Sequence, residues 1–173
     1  MESIIRKKIH TLFIFDRELP EDEDYALSQA KGLELSSILL GQNIPFGRLV
    51  TDRAVAEASG STEARRYGII TLLEDDPKWK PLFANRKLSE TEEVELEEKV
   101  TQLAGQLRAI RSRCGSLQRI VLFGRAAQTM FDRALAKLEA MNPPAHEELA
   151  SLECLRLPTL ARASREQIES IKN

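Results

Sequence analysis

The chain has 173 residues and a formal net charge of −2 at pH 7, with 42% hydrophobic and 30% charged residues, the balance of an ordinary globular domain. Its apolar runs are far shorter than the roughly 20 residues of a membrane helix, so no membrane association is expected. The slightly acidic balance argues against nucleic-acid binding through an overall excess of Lys and Arg but leaves room for a local basic face.

The first half of the chain predicts two strands separated by helices. Residues 9–15 (IHTLFIF) are short, apolar and rich in β-forming residues, which predicts a strand. The segment has no signal-peptide cleavage site and is followed by acids, so we expect a cytoplasmic protein. Leucine spacing predicts a helix over residues 31–42, and a shorter helix follows over residues 51–59. A second strand over residues 67–74 leads into a Pro-containing loop over residues 75–87.

The second half continues the alternation. A capping box of Ser89 and Glu92 begins a long helix that ends at Arg113, with Val94 in its apolar stripe. The remaining predicted elements are a strand over residues 119–124, a helix over residues 125–141, a break at "NPPAHEE", a strand over residues 153–158 and a terminal helix capped by Ser164 and Gln167. The alternation predicts one domain, residues 1–173, with three α/β/α layers and a central, mainly parallel four-stranded sheet.

Ligand sites in such folds lie at the carboxyl ends of the strands. Asp16 follows the first strand, where a carboxylate can orient water or stabilise a developing cation; the alternative is a solvated acidic loop, because "EDED" comes soon after. Gly124 and Arg125 follow the third strand, where glycine permits close approach of a ligand and a helix N-terminus attracts anions. The alternative there is a tight strand-to-helix turn.

The segment "LPTLARAS" follows the last strand. Thr159, Arg162 and Arg165 offer a hydroxyl and positive charge near a helix start, which suits a phosphate; the alternative is a capped helix. Trp79 and Phe83, in the loop after the second strand, either stack on bases or anchor that loop on the core. No metal or cofactor is expected, since two cysteines cannot form a four-thiolate site.

Three stretches resemble the uracil-DNA glycosylase superfamily, closest to its mismatch-specific and thymine-DNA glycosylase-like branches. They are "YGIITLLEDD", the long run from "LSETEEVELEEKV" through "RIVLFGRAAQTMFDRAL", and "LRLPTLARASREQIESI". The segment after the first strand, "FDRELPE", keeps a carboxylate and a proline but has no glycine, where the superfamily usually has a Gly-rich loop. Thr71 is followed by leucine, where the superfamily has a Thr-Asn pair.

The resemblance implies removal of uracil or another deaminated or mismatched base from DNA, without a metal, after the base is flipped into a pocket. Asp16 is the first candidate for the carboxylate that stabilises the cationic sugar and positions water, and Glu18 is the second. Thr159 and the amides that begin at Leu160 would grip a phosphate, and Arg162 would fill the gap left by the base. The other positions that the resemblance assigns to DNA binding are Arg17, Thr71, Gly124, Arg125 and Pro158.

Three hypotheses therefore stay open. The first is an active glycosylase with a divergent first motif. The second is a glycosylase-like domain without catalysis that binds nucleic acid or a protein partner. The third is an unrelated small α/β enzyme acting on a nucleotide or a sugar phosphate. A pocket beside Asp16 that is large enough for a pyrimidine would favour the first hypothesis over the second.

Overall fold

The computed structural model describes residues 1–6, 8–19 and 26–172. The strands are β1 (Glu2–Ile4), β2 (Thr11–Arg17), β3 (Tyr67–Leu73), β4 (Arg119–Phe123) and β5 (Glu153–Leu157). The helices are α1 (Ala30–Leu40), α2 (Phe46–Thr51), α3 (Arg53–Ala58), α4 (Lys80–Phe83), α5 (Glu90–Arg113), α6 (Arg125–Met141), α7 (Pro143–Ala150) and α8 (Arg165–Glu169). Short 3₁₀ helices cover Thr62–Arg66, Pro77–Trp79 and Ser170–Lys172.

The sheet has five strands in the order β1-β3-β2-β4-β5. β2 pairs in parallel with both β3 and β4, and β4 pairs in parallel with β5. The expected three-layer, mainly parallel α/β fold is therefore confirmed. The expected number of four strands is wrong, because β1 adds an antiparallel edge with Glu2 opposite Thr71. At three residues, β1 is too short for an alternating pattern to reveal it.

Both faces of the sheet are buried, because side chains alternate along each strand. Leu12 and Ile14 of β2 belong to a core that is covered by α5, α6 and α7. Phe13 and Phe15 point the other way, into a core with Phe46 and residues of α1 and α8. Phe13 and Phe46 stack with ring centroids 5.5 Å apart. Each such fully buried side chain contributes about 1.5–3 kcal/mol to folding.

Helices also form where none was predicted. The segment "NPPAHEE", expected to break the chain, begins α7, because both prolines occupy its first turn, where no backbone N–H is needed. The Asn142 side chain caps this helix by accepting a hydrogen bond from the Ala145 N–H at 3.3 Å. α2 buries Phe46, and α4 lies within the expected loop. On α5, Val94 is 63% exposed and does not belong to the buried stripe.

The strand order places a crevice beside Asp16. From β2 the chain moves to β3 on one side and then crosses to β4 and β5 on the other side. At such a reversal, the loops after the two central strands diverge and leave a crevice outside their carboxyl ends. Within the described residues, no helix is long and apolar enough to cross a membrane.

Candidate functional site at the carboxyl ends of β2, β4 and β5

Asp16 is the buried polar group at this edge of the sheet. Its side chain lies on the same face as Leu12 and Ile14, and the residue is only 4% exposed. Burial raises the pKa of Asp16 to about 6, and the positive charge of Arg17 and its backbone N–H oppose that rise. A carboxyl group with this pKa is still mostly ionised at pH 7, in surroundings of low dielectric where its charge acts strongly.

Asp16 lines a cleft of about 600 Å³, here called the primary cleft. Its walls come from the end of β2, the segment after α4, the start of α6 and the loop after β5. The lining residues are Asp16, Phe83, Ala84, Arg125, Gln128, Arg156, Leu157, Pro158, Thr159 and Arg162. The cleft is large enough for a pyrimidine ring with its sugar.

Gly124 lies where Asp16 and Thr159 of the primary cleft come close to each other. Its φ of +96° is a conformation that side-chain-bearing residues rarely adopt. A Cβ atom at this position would lie 2.3 Å from Asp16 Oδ2 and 3.0 Å from Thr159 Cγ2. The Gly124 N–H and the Gln128 side-chain amide both donate to the carbonyl of Leu157, at 2.9 and 3.2 Å. The turn after β4 therefore fixes Asp16 and the loop after β5 at the same point.

α6 begins at this cleft without a side-chain cap at Gly124. The first helical hydrogen bond of α6 runs from the Gln128 N–H to the Gly124 carbonyl. The backbone amides before Gln128 therefore have no partner within the helix. The aligned peptide dipoles of this 17-residue helix add partial positive charge at the same end. The start of α6 therefore favours an anionic group in the cleft.

The charged lining of the primary cleft is otherwise cationic. Arg125, Arg156 and Arg162 line it, and Asp16 is its single acidic residue among those that the structure describes. Arg156 is held by Asp132 in a two-point contact at 2.6 and 3.0 Å. Within the described residues, neither Arg125 nor Arg162 forms an ion pair. The cleft thus offers positive charge to an anionic ligand although the chain as a whole is slightly acidic.

Of the site residues predicted from the sequence, the structure places Asp16, Arg125, Pro158, Thr159 and Arg162 around one cleft. Gly124, another predicted site residue, lies directly against two of these residues, Asp16 and Thr159.

Four other predicted site residues lie outside the primary cleft. Glu18 is exposed, and its backbone N–H donates to the Leu73 carbonyl at 2.9 Å. Thr71 is paired with Phe15 in the sheet and is 3% exposed, which places its side chain on the face opposite Asp16. Leu160 is buried in the core beneath α8. Arg17 points into an adjacent groove, with its guanidinium 4.5 Å from the Phe83 ring centroid.

Sequence reasoning missed Gln128 and Arg156. Gln128 lies three residues after Arg125 on α6, so helical spacing puts both on one face and could have indicated it. Arg156 lies in a short strand where nothing in the pattern marks it. The two aromatic candidates occupy different environments: Trp79 is fully buried in the core, whereas Phe83 lines the cleft. Of the candidate phosphate residues, Arg165 instead pairs with Glu169 at 2.8 Å.

Comparison with known proteins yields no match to this chain, whether to models of protein families, to curated proteins or to solved structures. Among the described residues, no group of three or more His, Cys, Asp or Glu side chains is placed to hold a metal ion.

Proposed function

We propose that this protein is a DNA glycosylase that hydrolyses the bond between deoxyribose and uracil or another deaminated or mismatched base. One observation supports this function above the others. A buried carboxylate, Asp16, lines a cleft whose other charged lining groups are arginines. Hydrolysis of a nucleotide's glycosidic bond needs this pairing, because the substrate is anionic and the reacting sugar becomes cationic.

In the proposed mechanism the target nucleotide is flipped out of the base stack into the primary cleft. The bond between the base nitrogen and the sugar C1′ breaks, and the base leaves with the electron pair. The Asp16 carboxylate stabilises the positive charge that develops on the sugar. It also orients a water molecule, accepts a proton from it, and directs its oxygen to C1′. Asp16 takes this role because it is the acidic residue that lines the cleft.

The rest of the cleft suits the phosphates of the substrate. The uncapped start of α6, Arg125 and Arg162 offer donors and positive charge to a ligand in the cleft. Thr159 lines the same cleft, and its hydroxyl oxygen hydrogen-bonds to no other described residue. Binding of a phosphate would give this hydroxyl a partner after a change of rotamer.

A second candidate function is binding of nucleic acid without cleavage. The sequence "FDRELPE", which begins within β2, favours it, because it lacks the glycines with which the superfamily it resembles frames the water and the sugar. The arginine-lined cleft needs no catalytic water to bind phosphates.

An excision assay tests the proposed function. Labelled oligonucleotides that carry uracil, hypoxanthine or a G·T mismatch, in single- and double-stranded form, are incubated with the protein and then treated with alkali to cleave abasic sites. We expect strand cleavage on at least one substrate with the wild type and none with Asp16→Asn. Binding of these oligonucleotides without cleavage would instead support the non-catalytic function. Cleavage by Asp16→Asn at the wild-type rate would rule out the proposed mechanism.

A further inference from the structure

A second cationic groove of about 460 Å³ adjoins the primary cleft. Its lining residues are Arg17, Lys80, Phe83, Ala84, Arg86, Thr159 and Arg162. Phe83, Ala84, Thr159 and Arg162 line both spaces, so the two are continuous. We propose that this second groove binds the backbone phosphates of the strand that flanks the target nucleotide, with Lys80 and Arg86 as phosphate contacts. The proposal rests on the proposed function for the identity of the strand.

The charges of the second groove are unusual for this protein. Of its described lining residues, four are cations and none is acidic. Within the described part of the chain, none of these four forms an ion pair. Lys78, in the same segment as Lys80, shows the contrast, because it contacts Glu95 at 2.8 Å and Glu74 at 3.2 Å. Unpaired cations that converge on one concave surface produce a local positive potential that attracts a polyanion.

The segment that presents Lys80 and Arg86 is held in place. Trp79 is fully buried beside Lys80, and the Asp76 side chain accepts a hydrogen bond from the Lys78 N–H at 2.9 Å. The Arg86 N–H donates to the Pro81 carbonyl at 2.6 Å, which closes the turn after α4. A fixed backbone lowers the entropy lost when a ligand binds, as a binding site requires.

Two neighbouring residues of β2 contribute to the two spaces. Asp16 lines the primary cleft and its neighbour Arg17 lines the second groove. The Arg17 guanidinium lies over the Phe83 ring, 4.5 Å from its centroid. This contact holds the cation next to a side chain that lines both spaces. A mononucleotide would fill only one space, whereas a phosphodiester chain can occupy both. The geometry therefore favours a polymeric substrate.

The test compares the variant K80Q/R86Q with the control R108Q/R113Q. Both variants lose two positive charges, and the control residues are exposed on α5 outside both lining sets. The probes are oligothymidylates of increasing length, thymidine monophosphate and inorganic phosphate, and the readout is the dissociation constant as a function of salt concentration. Thermal unfolding confirms that both variants are folded, as expected for exposed residues without ion pairs.

We expect wild-type affinity to rise with oligonucleotide length and to exceed the affinity for the two small probes. K80Q/R86Q should bind the longer oligonucleotides roughly tenfold more weakly and lower the slope of log K against log salt by ~1.4, or ~0.7 for each lost phosphate contact to a single strand. The control should keep the wild-type slope. Equal slopes for the two variants would overturn the proposal, as would wild-type affinity that does not depend on length, or no binding of any oligonucleotide.

These outcomes are independent of catalysis, because oligothymidylates contain no uracil or hypoxanthine and none of their thymines is mismatched with guanine. A lower salt slope in K80Q/R86Q without excision by the wild type would support the second groove and contradict the proposed function. Excision with a slope unchanged in K80Q/R86Q would support the proposed function and overturn the second groove.

Discussion

Gly124 and Asp16 are in such close contact that no side chain fits between them. A Cβ atom at Gly124 would lie 2.3 Å from Asp16 Oδ2 and 2.6 Å from its Cγ atom, well inside van der Waals contact. The two residues belong to neighbouring strand ends, with Asp16 near the end of β2 and Gly124 directly after β4. The tight turn into α6 and the position of the carboxylate are thus parts of one arrangement.

Gly124→Ala should disrupt both the turn into α6 and the position of the Asp16 carboxylate. The φ of +96° is strained for alanine, and the new methyl group would displace the Asp16 carboxylate. We expect a loss of about 1–3 kcal/mol in the free energy of unfolding, measured by chemical denaturation, together with a lower excision rate. Gly105→Ala on α5 is the matched control, because nothing lies within 4 Å of an added Cβ there. That change should stabilise the helix by up to about 1 kcal/mol. Equal effects of the two substitutions would contradict the role given to Gly124.

Asp16→Asn should make the protein more stable at neutral pH. Burial raises the pKa of Asp16 from 3.8 to about 6 in the folded chain, so the ionised carboxylate destabilises the fold. A pKa rise of this size corresponds to a free-energy cost of about 3 kcal/mol. Asp16→Asn should therefore raise the free energy of unfolding by no more than this amount. Denaturation with urea at several pH values measures it.

The gain from Asp16→Asn should depend on pH in a defined direction. Above about pH 6, Asp16 is ionised in both the folded and the unfolded states, and the folded state bears the whole cost. As the pH falls from about 6 to about 4, the folded state takes up a proton before the unfolded state does, so the wild type recovers its stability. The stability difference between variant and wild type should therefore be largest above pH 6 and shrink towards pH 4. A difference that grows on acidification would show that burial does not raise this pKa.

Excision should follow the ionised form of Asp16. We expect kcat/KM to rise with pH and to level off above a midpoint near 6, because the protonated carboxyl group neither stabilises a cation nor accepts a proton from water. Single-turnover rates over this pH range test the expectation. Oligonucleotide affinity, measured in parallel, should not fall with the rate on acidification, because protonation of Asp16 only removes a negative charge beside the phosphates. A rate that is higher at acidic than at neutral pH would point to a general acid instead.

Thr159→Val should separate stability from binding. The Thr159 hydroxyl oxygen is shielded from solvent and hydrogen-bonds to no other described residue. Replacing a buried, unsatisfied hydroxyl with a methyl group of similar shape should leave the free energy of unfolding unchanged or raise it by about 1–2 kcal/mol. Affinity for oligonucleotides should nevertheless fall several-fold and return in Thr159→Ser. A large loss of stability without an effect on binding would assign this hydroxyl a structural role alone.

Local signals were sufficient for most of the fold. The apolar runs that became β2, β3 and β4 are each bounded by polar residues, and their alternation with helices predicts the parallel sheet. α6 has the predicted bounds Arg125–Met141. The capping box of Ser164 and Gln167 also forms as predicted, because it depends only on residues three positions apart.

Features that depend on distant contacts could not be predicted. β1 exists only because β3 offers an edge, and Val94 is exposed because the buried face of the long helix α5 includes Leu96 instead. In the site, Asp16 and the loop after β5 were predictable from their positions at the carboxyl ends of strands. The second groove was not, because the segment of Lys80 and Arg86 meets Arg17 and Arg162 only through tertiary packing.

The most direct test of the central claim is single-turnover excision by the wild type and Asp16→Asn on the best substrate of the panel, with oligonucleotide binding measured on the same samples. We expect Asp16→Asn to bind at least as tightly as the wild type, because one negative charge beside the phosphates is gone, and to excise no base. Excision by Asp16→Asn at the wild-type rate would contradict the claim that this buried carboxylate performs the chemistry.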